Sequence, residues 1–415
     1  MEMKIGFAKR SITPPPGTEL GGYAGYRPCS GCHDPLWCRA VVLQQGQERR
    51  ALLSLELLSV DESLSDRIEA AVRPLGIGAV VAAAIHSHAA PCGMIPGEGP
   101  LAAVNAVAER DPEGFRRYME QVIDSAVCAC AEAIDRLENF TVRSARGTAP
   151  VIGSERHTGQ TLDVPMTVVG VRTQSGRTLT VYQIPCHPTV LGPDNLLASA
   201  DLAGGIEGRL DSDMARCLNG AAGDISPRVT RRAQDFAECD RRAAIAAEAI
   251  RELIRDVPYG APEPLRALRK RIRLQPRAVE SPEQARLALE EATARWQAAA
   301  EAGMEPGQLR ILRTYVEGAG VALEFARTME GIRELSLPVT AFTFAGLRFV
   351  TVPGELFSGL WRPDAVPVCY ANGYYRYIAD RQAYRNGYYE TMAAIVAEGQ
   401  GERLLEKIEE LLEIL

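Results

Sequence analysis

His86 and His88 stand two residues apart at the end of an apolar run, Ala79-Val-Val-Ala-Ala-Ala-Ile-His86-Ser-His88-Ala-Ala-Pro91, in a chain with only five histidines. Neutral imidazole is the commonest protein metal ligand. Residues i and i+2 of a strand point to one face. The two rings are therefore expected to project together from a strand end, where α/β proteins place their sites. Such a pair would hold a metal ion, zinc first, or move a proton. The bland alternative is one packed histidine and one exposed one. Four further polar islands interrupt apolar segments. They are His187 in Ile184-Pro-Cys-His187-Pro-Thr189, Ser226 in Gly223-Asp-Ile-Ser226-Pro227, Glu355 in Val352-Pro-Gly-Glu355, and the tyrosine-dense stretch from Tyr370 to Tyr389. Taken singly, each has a plain structural reading: a core histidine, a turn, an acidic helix start, aromatic packing. Zinc takes three or four N, S or O ligands, and a catalytic site leaves one position for water. His86, His187 and Glu355, each after an apolar strand, are a plausible convergent set.

The elements that must position these residues read as mixed α/β, with β-sheet layers flanked by helices. Turn-rich segments, Ile12-Thr-Pro-Pro-Pro-Gly17 and Gly21-Gly-Tyr-Ala-Gly25, alternate with apolar strands over the first 60 residues. Asp61 looks like the cap of a helix through Val72. A helix is expected from Asp111 to Leu137, and several strands over 141–185. Residues 230–335 read as a helical insertion. It holds an amphipathic helix over 233–255, a capped start at Ser281-Pro282-Glu-Gln284 with a stop at Gly303, and a helix from Glu305 to Ala326. Strands resume after Val339. The last segment, 396–415, is an amphipathic helix that either docks on the body, the simpler expectation, or pairs with another subunit as a homo-oligomer contact.

Bulk properties narrow the function. The net charge of -7 argues against nucleic acid as a partner. No apolar run approaches the roughly 20 residues that span a bilayer, and no apolar signal core opens the chain, so a cytoplasmic location is expected. The ten scattered cysteines are then expected to be free thiols. Cys29-Ser-Gly-Cys32-His33 matches a haem-attachment pattern, but that attachment belongs outside the cytoplasm. A zinc knuckle on Cys29, Cys32 and Cys38 lacks a fourth ligand.

The islands, in this order, resemble the N-terminal zinc catalytic region of the neutral ceramidase family. His86-Ser-His88-Ala-Ala-Pro91 is similar to that family's His-Thr-His-Ser-Gly-Pro. Gly223-Asp-Ile-Ser226-Pro227 is similar to its Gly-Asp-Val-Ser-Pro, and Pro353-Gly354-Glu355 to its Pro-Gly-Glu. Asn372-Gly-Tyr374 with Tyr377 and Tyr389 resembles its tyrosine-rich segment. The resemblance runs from about residue 4 to 395, so a hydrolase domain is expected over 1–395, and it implies zinc held by His86, His187, Glu355 and Tyr377. It implies His88, Ser226 and Tyr389 around the reacting group and His33 in the site wall. Ala89-Ala90 and Arg228 depart from the family pattern, and Arg228 suits a carboxylate or phosphate on the substrate. The expected activity is zinc-dependent hydrolysis of the amide of an N-acyl compound, with zinc-bound water as nucleophile. The alternatives are a zinc-dependent esterase, a hydrolase or lyase acting on a soluble sugar derivative, and, ranked lower, a non-enzymatic zinc module. The expected partner is a small N-acyl or ester substrate, whether ceramide, as in lipid metabolism, or a smaller soluble compound.

Overall fold

The computed structural model describes residues 2–104 and 111–415. Three larger sheets carry the architecture. The first runs Met3–Ser11, Trp37–Gln45, Glu48–Leu55 and Ile77–Ala84; its first two pairings are antiparallel and its last is parallel. A parallel pair needs a crossover, supplied here by the helix Glu62–Val72. The Asp61 side chain caps that helix by accepting from the Leu64 N–H. The second sheet orders Met214–Asn219, Thr178–Ile184, Thr161–Thr173, Phe140–Glu155 and the short Ile225–Ser226. The third orders Ala267–Leu274, Leu335–Phe344, Leu347–Val352 and Val366–Cys369.

Strand alternation explains how these sheets meet. Ile5, Phe7, Val41 and Val81 of the first sheet share one apolar cluster with Val169, Val171 and Val181 of the second and Phe342, Phe349 and Val368 of the third. Helices cover the outer faces. Pro112–Asp135 packs on Met3–Ser11 and Trp37–Gln45, and Phe236–Ile254 packs on Phe140–Glu155. The mixed α/β class with flanking helices is therefore the observed one.

Two expectations change in detail. Residues 230–335 are not wholly helical. The strand Ala267–Leu274 lies between the helices and pairs antiparallel with Leu335–Phe344. Its sequence, Ala-Leu-Arg-Lys-Arg-Ile-Arg-Leu, hides the strand because its exposed residues, Arg269, Lys270, Arg271 and Arg273, are all basic on a sheet edge. The histidine strand also ends early, at Ala84, so the pleat does not align His86 with His88. The C-terminal helix, Gln400–Ile414, buries Leu404, Leu405, Ile408, Leu411 and Leu412 and packs on Ala267–Leu274 and Leu335–Phe344 of its own chain. All ten cysteines are free thiols, and of these Cys32 and Cys128 are exposed. Among the described residues no helix is long and apolar enough to cross a membrane.

Candidate metal centre

Loops at the strand ends, rather than the strands themselves, set the histidines. His86 takes a left-handed backbone, φ 69°. Its N–H donates to the Leu57 carbonyl at 3.0 Å, and its Nδ1 lies 2.8 Å from the Leu58 carbonyl. His187 is held the same way, with Nδ1 2.6 Å from the Ala222 carbonyl. A carbonyl acceptor fixes the proton on Nδ1, so in both rings Nε2 keeps its lone pair. The two Nε2 atoms meet at Glu355 Oε2, at 3.0 Å from His187 and 3.3 Å from His86. His88 Nε2 lies 3.4 Å from His86 Nε2. Ligand atoms of His86, His88 and His187 all fall within 4.8 Å of one another.

Close backbone approach makes this possible at two glycines. A Cβ on Gly223 would stand 2.6 Å from the Glu355 carbonyl oxygen, and one on Gly22 would stand 2.4 Å from His88 Nδ1. Gly22 also has φ 88°, a conformation glycine adopts without steric cost. Asp224 anchors the Ser226 loop to the Glu355 segment, accepting from the Ser358 N–H at 2.7 Å and hydroxyl at 2.9 Å.

The electrostatics suit a cation. Burial, with His86 and His187 beside it, lowers the His88 pKa well below its ordinary value. Burial and then the Arg156 charge push His187 down to about 4. Both rings are thus neutral donors near pH 7. Burial works to raise the Glu355 carboxyl, yet His86 and His187 hold it well below the usual range. Three imidazoles and a carboxylate form a donor set that fits zinc. Buried polar atoms without a hydrogen-bond partner among the described residues also gather here: His88 Nδ1, Ser226 Oγ and the Tyr370 hydroxyl. Such atoms are costly unless something else satisfies them.

The tyrosine segment closes the site. Asn372 pins it to the histidine strand, accepting from the Ala82 N–H and donating to the Val80 carbonyl and Ser65 hydroxyl. The Tyr370 ring stacks on His86 at 4.0 Å. The Tyr374 hydroxyl donates to Glu355 Oε1 at 2.6 Å. Tyr377 is the register partner of Glu355 in a short parallel pair; its hydroxyl accepts from Arg156 at 3.3 Å. The Tyr389 ring stands edge-on to Tyr377 at 6.4 Å. His86, His88, His187, Glu355 and Tyr377 are thus linked through Glu355 and its neighbours. Ser226 lies on the loop that holds His187, since the Ile225 carbonyl accepts from the His187 N–H at 3.0 Å. His33 is exposed, bonded to Asp34 at 2.8 Å and stacked on Phe236 at 3.5 Å. Arg228 is also exposed.

Three polar residues at the site escaped the sequence reading. Arg156 is largely buried and donates to the Gly223 carbonyl at 3.2 Å, to Tyr377, and to Glu390 at 3.2 Å. Glu390 also pairs with His157 at 3.1 Å, whose ring stacks on Tyr388 at 3.5 Å. The signal was Glu155-Arg156-His157, three ionisable residues together at a strand end. It lacks the paired spacing that made His86 and His88 conspicuous.

No family model matches this sequence, and neither does any curated protein. Solved structures do match in fold. A neutral ceramidase from Pseudomonas aeruginosa superposes with a TM-score of 0.72 at 17% identity, over 97% of this chain and 72% of that one. A ceramidase complexed with C2 superposes with a TM-score of 0.70 at 15% identity, over 97% of this chain and 73% of that one. The chain has the fold of those proteins.

Proposed function

We propose that the protein is a zinc-dependent hydrolase that cleaves the amide bond of an N-acyl compound. One observation carries the reading. Two inward-turned imidazole nitrogens converge on the Glu355 carboxylate, with a third imidazole beside them, on a fold shared with ceramidases. Zinc in such a donor set acidifies water and polarises a carbonyl. His86, His187 and Glu355 form the core of the set. His88 and Tyr377 are the candidates for a fourth donor, and the metal content of Tyr377→Phe against His88→Gln separates them. The Tyr389 hydroxyl donates to the oxyanion that develops on the carbonyl. Where Tyr377 is the fourth donor, His88, kept neutral by burial, is free to take a proton from the attacking water and pass it to the leaving amine. Ser226, with its buried hydroxyl unpartnered among the described residues, orients the substrate. Arg156 holds Tyr377 and Glu390 in place.

The test is the metal content of the purified protein together with hydrolysis of short and long N-acyl amides and matched esters, with and without chelator. About one zinc per chain and chelator-sensitive amide cleavage are expected. Zinc with ester cleavage alone would replace the amide by an ester. No zinc after reconstitution would remove the proposed centre.

A further inference from the structure

The chain is acidic overall, at -7, yet arginines gather beside the histidines. Tyr23 marks the place: its ring stands edge-on to His88 at 4.9 Å, and its hydroxyl donates to the Leu191 carbonyl. Three arginines are held around it: Arg27 by the His88 carbonyl, Arg156 by the Gly223 carbonyl and Arg231 by the Thr189 carbonyl. Two of these guanidiniums are occupied. Arg27 donates to the carbonyls of Gly21, His88, Pro193 and Asn195. Arg156 is tied to Glu390, Tyr377 and Gly223.

Arg231 differs. It is partly buried, and its Nη1 donates to the Thr189 carbonyl. Thr189 in turn donates its N–H to the His187 carbonyl at 2.9 Å, so the guanidinium is anchored two residues from a candidate metal ligand. Among the described residues it makes no ion pair and no other side-chain hydrogen bond. A guanidinium carries five N–H donors in a planar fork, and among the described residues only Nη1 is engaged. An anion lying in that fork would engage the remaining donors.

We infer that Arg231 seats an anionic group of the substrate, so that the amide cleaved is that of an N-acylated amino acid or another anion-bearing amine rather than of a neutral amino alcohol. This rests on the amide-hydrolase reading above. The planar fork matches a carboxylate, and a phosphate monoester shares the same chemistry.

The experiment compares N-octanoylglycine, N-octanoyl-O-phosphoethanolamine and N-octanoylethanolamine on the zinc-loaded protein and on Arg231→Gln and Arg231→Lys. The glycine conjugate is expected to exceed the ethanolamine conjugate in kcat/KM by about ten-fold, as one charge-assisted contact allows. Arg231→Gln is expected to abolish that ratio through KM, and Arg231→Lys to restore part of it. Preference for the phosphate conjugate, lost in the same variant, sustains the anion seat with phosphate as its occupant. Equal cleavage of all three, with the ratio unmoved by either variant, overturns the seat and leaves amide hydrolysis standing. If no amide is cleaved, the hydrolase reading fails, and calorimetric binding of the intact glycine conjugate decides the seat. Weaker binding to Arg231→Gln than to the parent upholds it, and equal binding overturns it.

Discussion

At the scale of single residues, the proposed chemistry rests on a few imidazole and hydroxyl groups. Tyr389 is the clearest to test. Tyr389→Phe removes one hydroxyl and keeps the ring that stands against Tyr377. Turnover is expected to fall by about 100-fold, the scale of one lost oxyanion donor, with zinc content retained. Unchanged turnover would take Tyr389 out of the mechanism. The residue types were legible to different degrees. His86 and His88 announced themselves by spacing. His187 and Glu355 were visible because each follows an apolar run and sits beside proline or glycine. Arg156, His157 and Glu390 were not, because an arginine buried between a tyrosine, a carbonyl and a glutamate looks in sequence like any exposed arginine. Only tertiary structure brings Glu390 to it.

At the scale of elements, caps and turns read well and edges read poorly. The Ser281 capping box and the Asp61 cap are both present, since each is a local side-chain-to-backbone bond encoded within four residues. The exposed strand Ala267–Leu274 was missed because its pairing is with residues more than 60 positions away, and its alternation is masked by arginine and lysine. The His86 loop was read as strand because φ leaves no mark on composition. The turn at Gly22 makes a prediction at this scale. Gly22→Ala places a methyl against the His88 ring at a backbone angle alanine disfavours. Weaker zinc binding is expected, read by competition with a chromogenic chelator, with a loss of about 1–3 kcal/mol in stability. Full zinc affinity in a folded variant would show that His88 does not need that close contact.

At the scale of the whole molecule, buried charge gives stability a pH signature. Burial works to raise the Glu390 carboxyl, but the His157 and Arg156 contacts prevail and hold it at about 2, below the ordinary 4.5. A depressed folded pKa adds stability above 4.5, and that stability is lost as the pH falls through about 2. Asp201 works with the opposite sign. Burial raises it to about 6 from 3.8, so its contribution is full below 3.8 and lost as the pH rises through about 6. Glu390→Gln is expected to cost about 3 kcal/mol at neutral pH, as for a broken buried pair, and to flatten the acid limb of unfolding followed by denaturant titration. An acid limb unchanged in that variant would show that the Arg156–Glu390 pair is no stabilising link.

The distances along the chain have one last consequence. Glu355 meets His187 across 168 positions, and the Asn372 clasp reaches the histidine strand across 290. A nascent chain emerging from the ribosome therefore has no complete centre until Glu355 and the Asn372 clasp have been made. Acquisition of the proposed ion would follow that assembly rather than nucleate it, and pulse-labelled chains halted before Glu355 are expected to retain far less zinc than chains halted after Asn372.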